Sequence, residues 1–225
     1  MNLTQTIIRF PEIALATREA HKLRGFFGNL FREHSPLLHN HFEDGSLRYA
    51  YPLVQYKVID GVPVLVGFGE GSRLLIKLFL KIKKLDVEGR HYVINSKNIE
   101  NRIYKLDDHS QLYEYEFKTL WMALNQKNYE KYVLLKKQDK KAAFLNRQLQ
   151  NNILSFYKGV GYRTRERIMA KGNFTEKTTL FKNKHMLAFE GKFVVNALLP
   201  DYAGLGKSTA RGFGSIKKYK LFRSA

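Results

Sequence analysis

The chain has 225 residues, with 39 Lys and Arg against 20 Asp and Glu and a formal net charge of +19; an excess spread along the sequence resists compaction unless a polyanion relieves it, which puts nucleic acid first among partners and an acidic membrane second. The absence of cysteine excludes disulfides, thiolate zinc sites and a cysteine nucleophile, and fits a reducing cytoplasm. The longest apolar-rich stretch, Leu74 to Ile82, is broken by Lys77 and Lys81, and Met1 to Gln5 shows no basic stretch leading into an apolar one, so neither a membrane span nor a signal peptide is expected.

Leu3 to Phe10 alternates and ends at Pro11, predicting a strand, and Ala16 to Phe31 carries apolar residues at helical spacing. Beyond a loop around Ser35-Pro36, Leu47 to Ile59 predicts a strand rich in Tyr and Val. Asp60-Gly61 is a hairpin signal leading into a strand over Val62 to Val66. Gly67 to Gly71 reads as loop, Ser72 as the cap of a helix reaching about Ile82, and Arg90 to Ile94 as a further strand. The order β-α-β-β-α-β is that of a ferredoxin-like unit, as in RNA-recognition modules, with two helices on one sheet face and the other face left open.

The second half starts with the alternating Gln111 to Phe117, then a long helical stretch from about Gln126 to Phe156. Lys136 to Lys141 within it reads as a solvated face. Lys184 to Phe189, a turn at Glu190-Gly191, and Lys192 to Leu199 predict a hairpin, and Ser215 to Phe222 a last strand. The expected fold is therefore α+β, two tandem ferredoxin-like domains spanning 1–106 and 107–225, the second ending in a glycine-rich loop.

That loop, Gly204-Leu205-Gly206-Lys207-Ser208-Thr209-Ala210-Arg211-Gly212-Phe213-Gly214, combines four glycines with two cations. Glycine admits close backbone approach, and Lys207 and Arg211 supply charge, so Gly204, Gly206, Lys207, Ser208, Arg211, Gly212 and Gly214 read as a phosphate cradle. Gly206-Lys207-Ser208 imitates the end of a Walker A loop, but Asp201 stands where that motif needs glycine, which argues against an ATPase or GTPase.

His39-Asn40-His41 lies in the loop before the tyrosine-rich strand. Histidine titrates near neutrality, and a loop beside an RNA-binding sheet can bring acid–base groups to a scissile phosphate. The same pair also admits a reading as two loop histidines without a role, and, with less support because no third partner stands at ligand spacing, as zinc ligands. The following Leu47 to Lys57 block sets Tyr49 and Tyr51 on one strand face with Arg48 on the other; tyrosine faces with interleaved Arg48 and Lys57 suit stacking and backbone contacts to RNA. No spaced trio of acids resembles a two-metal nuclease site, so a metal-independent mechanism fits better.

The basic two-domain pattern, the histidine pair, the Tyr49 to Lys57 strand and the Gly204 to Gly214 loop together resemble the CRISPR-associated RAMP endoribonucleases, in particular the branch with paired histidines in the first domain. The resemblance covers nearly the whole chain. It implies metal-independent cleavage of CRISPR precursor RNA within its repeats, by ribose 2′-hydroxyl attack on the adjacent phosphate, leaving 2′,3′-cyclic phosphate and 5′-hydroxyl ends and supplying guide RNAs for antiviral defence. It further implies His41 as the leading catalytic group with His39 its partner, Tyr49 in support (Tyr51 being the alternative), and phosphate contacts from Arg48, Lys57, Lys207 and Arg211. A prokaryotic cytoplasmic enzyme is expected, a monomer or homodimer without cofactor or membrane partner, with repeat RNA and other CRISPR effector subunits as partners. The alternative within the same resemblance is an inactive repeat-RNA-binding subunit.

Overall fold

The computed structural model describes residues 1–30, 51–106, 111–181 and 184–221. They divide into two compact units: the first comprises Asn2–Tyr104 together with Thr209–Gly212, the second Met1, Lys105–Ser208 and Phe213–Ala225. A short piece of the glycine-rich loop is thus a structural part of the first unit.

The first unit contains β1 (Asn2–Arg9), α1 (Ala20–Leu30), β2 (Val54–Ile59), β3 (Val62–Phe68), α2 (Glu70–Phe79), β4 (Lys84–Val87), β5 (Arg90–Val93) and β6 (Asn98–Lys105). Its main sheet has the ferredoxin-like order β2-β3-β1-β6. Between β2 and β3, Asp60 and Gly61 both adopt positive φ, 50° and 83°, as a two-residue hairpin turn requires. Period-two alternation sends Ile8, Val54, Tyr56, Val58 and Leu65 to one face, where Leu23 and Phe27 of α1 and Leu75 and Leu78 of α2 close the core over them. The Phe27 and Tyr56 rings stack with centroids 5.9 Å apart.

Three local expectations change. The segment Arg90 to Ile94 does not supply the fourth strand of this sheet; β5 pairs with β4 in a separate two-stranded ribbon, and β6 takes the sheet edge. Ser72 lies inside α2 rather than capping it: Gly69 holds the N-cap position, and the Ser72 hydroxyl is buried 2.6 Å from the hydroxyl of Thr6. The sheet face opposite the helices is closed rather than open, since Ile7, Gln55, Lys57, Val64 and Val66 are all buried.

The second unit contains β7 (Tyr113–Phe117), α3 (Gln126–Val133), α4 (Gln138–Gly159), β8 (Ala170–Phe181), β9 (Lys184–Val195) and β10 (Ile216–Leu221). Its sheet order, β10-β7-β9-β8, repeats that of the first unit. What differs is the connection from the third strand to the fourth: in place of an α-helix, residues 196–215 form an irregular segment with one 3-10 turn at Thr209–Arg211.

The predicted Gln126–Phe156 helix is two helices, with extended backbone at Lys137. Twelve residues of unbroken helix would separate Tyr132 from Phe144 by about 18 Å. The break instead brings their rings within 6.0 Å, and Tyr132 packs edge-on to Phe189 as well. Nor does β9 turn at Glu190-Gly191: it runs continuously beside β8, register Phe181↔Lys184 to Ala170↔Val195. Gly191 is required there by strand approach, because a Cβ at this residue, with φ 148°, would lie 2.1 Å from the Asn173 carbonyl oxygen. Trp121, fully buried, stacks 5.1 Å from Phe117 and packs 4.9 Å from Phe174, and its indole N–H donates to Asn152 Oδ1 of α4 at 2.9 Å. Among the described residues no helix is long and apolar enough to cross a membrane.

Candidate nucleic-acid interface

The sequence between β9 and β10 folds as a self-bonded loop. Leu205 N–H donates to the Gly214 carbonyl (2.9 Å), Lys207 N–H to Met122 (3.0 Å), Gly214 N–H to Leu120 (2.9 Å) and Gly212 N–H to Thr209 (3.4 Å). Gly204 bridges Ser215, and Gly206 lies against Trp121 and the Met122 carbonyl. Gly214 needs its φ of 65°, and a Cβ there would sit 2.0 Å from the Leu205 oxygen. The expectation that this backbone cradles phosphate is therefore corrected for those four amides: their donors are spent inside the fold, and the glycines permit close approach of the chain to itself. Charge for a ligand comes instead from side chains. Lys207 is exposed, and Ser208 and Arg211 are half-buried.

Gly212 carries the loop into the first unit. A Cβ placed on it would lie 2.5 Å from the Ala20 Cβ, 3.5 Å from the Tyr56 carbonyl oxygen and 3.9 Å from the Lys57 Cα. The fold thus sets Arg211 and Gly212 against α1 and the middle of β2, joining two stretches of sequence more than 150 residues apart. Beside them stands Arg24 of α1, whose pKa is lowered from its ordinary value by burial first and then by the charge of Arg211. Arg24 and Arg211 thus concentrate positive charge where the loop meets α1. Arg24 was not singled out in the sequence; in the letters it is one cation on an amphipathic helix, and only its meeting with Arg211 distinguishes it.

Lys57 departs from expectation. It is fully buried, and its ammonium finds no hydrogen-bond acceptor among the described residues. Burial pushes its pKa down to about 7. As folded, Lys57 is not a surface contact for phosphate, because strand alternation turns it to the closed face of the sheet. Tyr51 lies just before β2; its hydroxyl accepts a hydrogen bond from the Gln55 amide (2.7 Å), and its ring meets Phe68 at 6.5 Å. His39, His41, Arg48 and Tyr49 lie outside the described residues. Among the described residues no three His, Asp or Glu side chains gather to hold a metal ion.

Two family matches cover this architecture: the Cas6b N-terminal domain over residues 1–105 and the Cas6b C-terminal domain over residues 108–219. The chain belongs to the Cas6b family. A crystal structure of Cas6b superimposes with a TM-score of 0.91 at 34% identity, covering 97% of this chain and 100% of that one. A second, of the CRISPR RNA processing endoribonuclease Cas6b, gives a TM-score of 0.79 at 32% identity over 97% and 100% of the two chains. An uncharacterized protein of Methanocaldococcus jannaschii is 30% identical over 141 residues, 62% of this chain and 95% of its own length. The two sheet-rich units are those of the RAMP-type Cas6 fold.

Proposed function

We propose that this Cas6b-family chain cleaves CRISPR precursor RNA within its repeats without a metal ion, through ribose 2′-hydroxyl attack that leaves 2′,3′-cyclic phosphate and 5′-hydroxyl ends. The observation that carries this reading is the match of both Cas6b domains over nearly the whole chain, with one of the matched structures that of a CRISPR RNA processing endoribonuclease. The reaction needs a base for the 2′-hydroxyl, an acid for the departing 5′-oxygen and donors for the charge that develops on phosphorus. His41 and His39 are assigned the acid–base work, with Tyr49 supporting them. Arg24 and Arg211, where the glycine-rich loop meets β2, are assigned to backbone phosphates, and Arg48, Lys207 and Ser208 are assigned further RNA contacts.

The net charge of +19 supports a polyanionic substrate, and the docking of Gly212 beside β2 supports a site assembled from both ends of the sequence. The test is incubation of labelled repeat RNA with purified protein in EDTA, beside the same RNA carrying one 2′-deoxynucleotide immediately 5′ of the cut. Cleavage of the first and intact binding without cleavage of the second are expected. Cutting of the deoxy substrate refutes the mechanism, and stoichiometric binding of the all-ribose RNA without product makes the protein a repeat-RNA-binding subunit instead.

A further inference from the structure

We propose that β6 pairs edge to edge with β6 of a second copy of this chain, antiparallel and centred on Asn101, joining the two first-unit sheets into one. β6 is the outer strand of its sheet, eight residues long, without proline or glycine, and exposed or half-buried throughout. Long exposed edges of this kind offer a row of backbone donors and acceptors to another strand.

The side chains state which strand fits. Arg9 bonds Glu100 across the sheet, and Arg102 bonds Glu100 along β6 at 2.6 Å, which places Glu100 and Arg102 on the face of Arg9. Ile99, Asn101 and Ile103 then project on the helix-bearing face, where Ile103 is 70% and Ile99 40% exposed. With the two-fold axis through Asn101, Ile99 of each copy stands opposite Ile103 of the other, and Glu100 opposite Arg102. The isoleucines thus face isoleucines and Glu100 faces Arg102, Asn98 stands opposite Tyr104, and the asparagines at position 101 meet at the centre. An axis through Glu100 would set the two glutamates against each other, and an axis through Arg102 the two arginines. Among axes through a residue of β6, the one through Asn101 alone sets both isoleucines against isoleucines and glutamate against arginine, so the strand is complementary to itself in this register, as an isologous interface requires. Lys97, which would otherwise meet Lys105 at the interface ends, is held back by its bond to the Ile82 carbonyl at 2.6 Å and by the Phe79 ring.

The test is the mass of the nuclease-treated full chain by light scattering at about 1 to 100 μM protein, the range appropriate to an interface of modest size. A dimer is expected. Glu100→Arg and Arg102→Glu, each alone, should raise the dimer Kd at least about tenfold, since both symmetric contacts become repulsive. An equimolar mixture of the two variants should dimerise again, because the doubly basic face of one then meets the doubly acidic face of the other. Should Glu100→Arg unfold through loss of the Arg9 bridge, Ile103→Lys, at an exposed side chain, carries the same expectation of a monomer. A wild-type chain that stays monomeric throughout, variants that dimerise as the wild type does, or a mixture of folded variants that stays monomeric would each overturn the proposal.

Discussion

Lys57 stores a pH-dependent cost that a single substitution should release. Its ammonium is fully buried without an acceptor among the described residues, and burial takes its pKa from the ordinary 10.5 to about 7. Below pH 7 the lysine is charged in both the folded and unfolded chain, and the full difference, about 5 kcal/mol, weighs against folding. Between 7 and 10.5 the unfolded chain binds a proton that the folded chain does not, so this cost shrinks as pH rises, to about 3 kcal/mol at pH 8.5 and nearly nothing at 10.5. Lys57→Met keeps the length of the side chain and removes the titration. It should therefore stabilise the protein by several kcal/mol at pH 6 and by little at pH 10. Urea unfolding of wild type and variant at pH 6, 8.5 and 10 reads the difference directly, and the other titrating groups cancel in the comparison. A stability difference that stays constant across that range, to within about 1 kcal/mol, would refute the account, since only a titrating Lys57 makes it pH-dependent.

His41→Ala should lower the single-turnover cleavage rate at least about tenfold, given the usual 10²–10⁴ for an acid–base group, with repeat-RNA binding by anisotropy unchanged. Arg211→Ala should weaken RNA binding and reduce the slope of log K against log salt by about one, which a titration series at several salt concentrations measures. Gly214→Ala sets a Cβ at 2.0 Å from the Leu205 oxygen in a residue of φ 65° and should cost at least about 2 kcal/mol in urea unfolding; a cost below about 0.5 kcal/mol would mean the loop relaxes freely.

Much of the fold was legible because periodicity and turn chemistry agree in the strands that build the cores. β1, β3, β7 and the Asp60-Gly61 hairpin follow from alternation and from the turn residues alone. β6 escaped notice for a physical reason: at a sheet edge it carries charge on one face and only Ile99 and Ile103 on the other, so its apolar signal is faint. Glu190-Gly191 misled because a glycine that lets two strands approach has the same letters as one that turns a chain. The glycine-rich loop was legible as a place of close backbone approach but not in its object, which is its own chain. Its role as part of the first unit could not be read at all, because no local pattern encodes a meeting between residue 212 and residues 20 and 56. The same holds for Arg24 and for the burial of Lys57.

The membership of Thr209–Gly212 in the first unit also has a consequence for biosynthesis. During translation, β2 is made about 150 residues before the segment that packs on it, an interval of about 8 to 30 s at ordinary elongation rates. Over that time the nascent N-terminal half lacks its last piece, leaving the surface around Ala20 and Tyr56 unsealed. Contacts of such sequence separation also slow folding. The N-terminal half expressed alone is accordingly expected to be sticky and dependent on chaperones, and the C-terminal loop to act as the final fastening that commits the whole polypeptide to its native state.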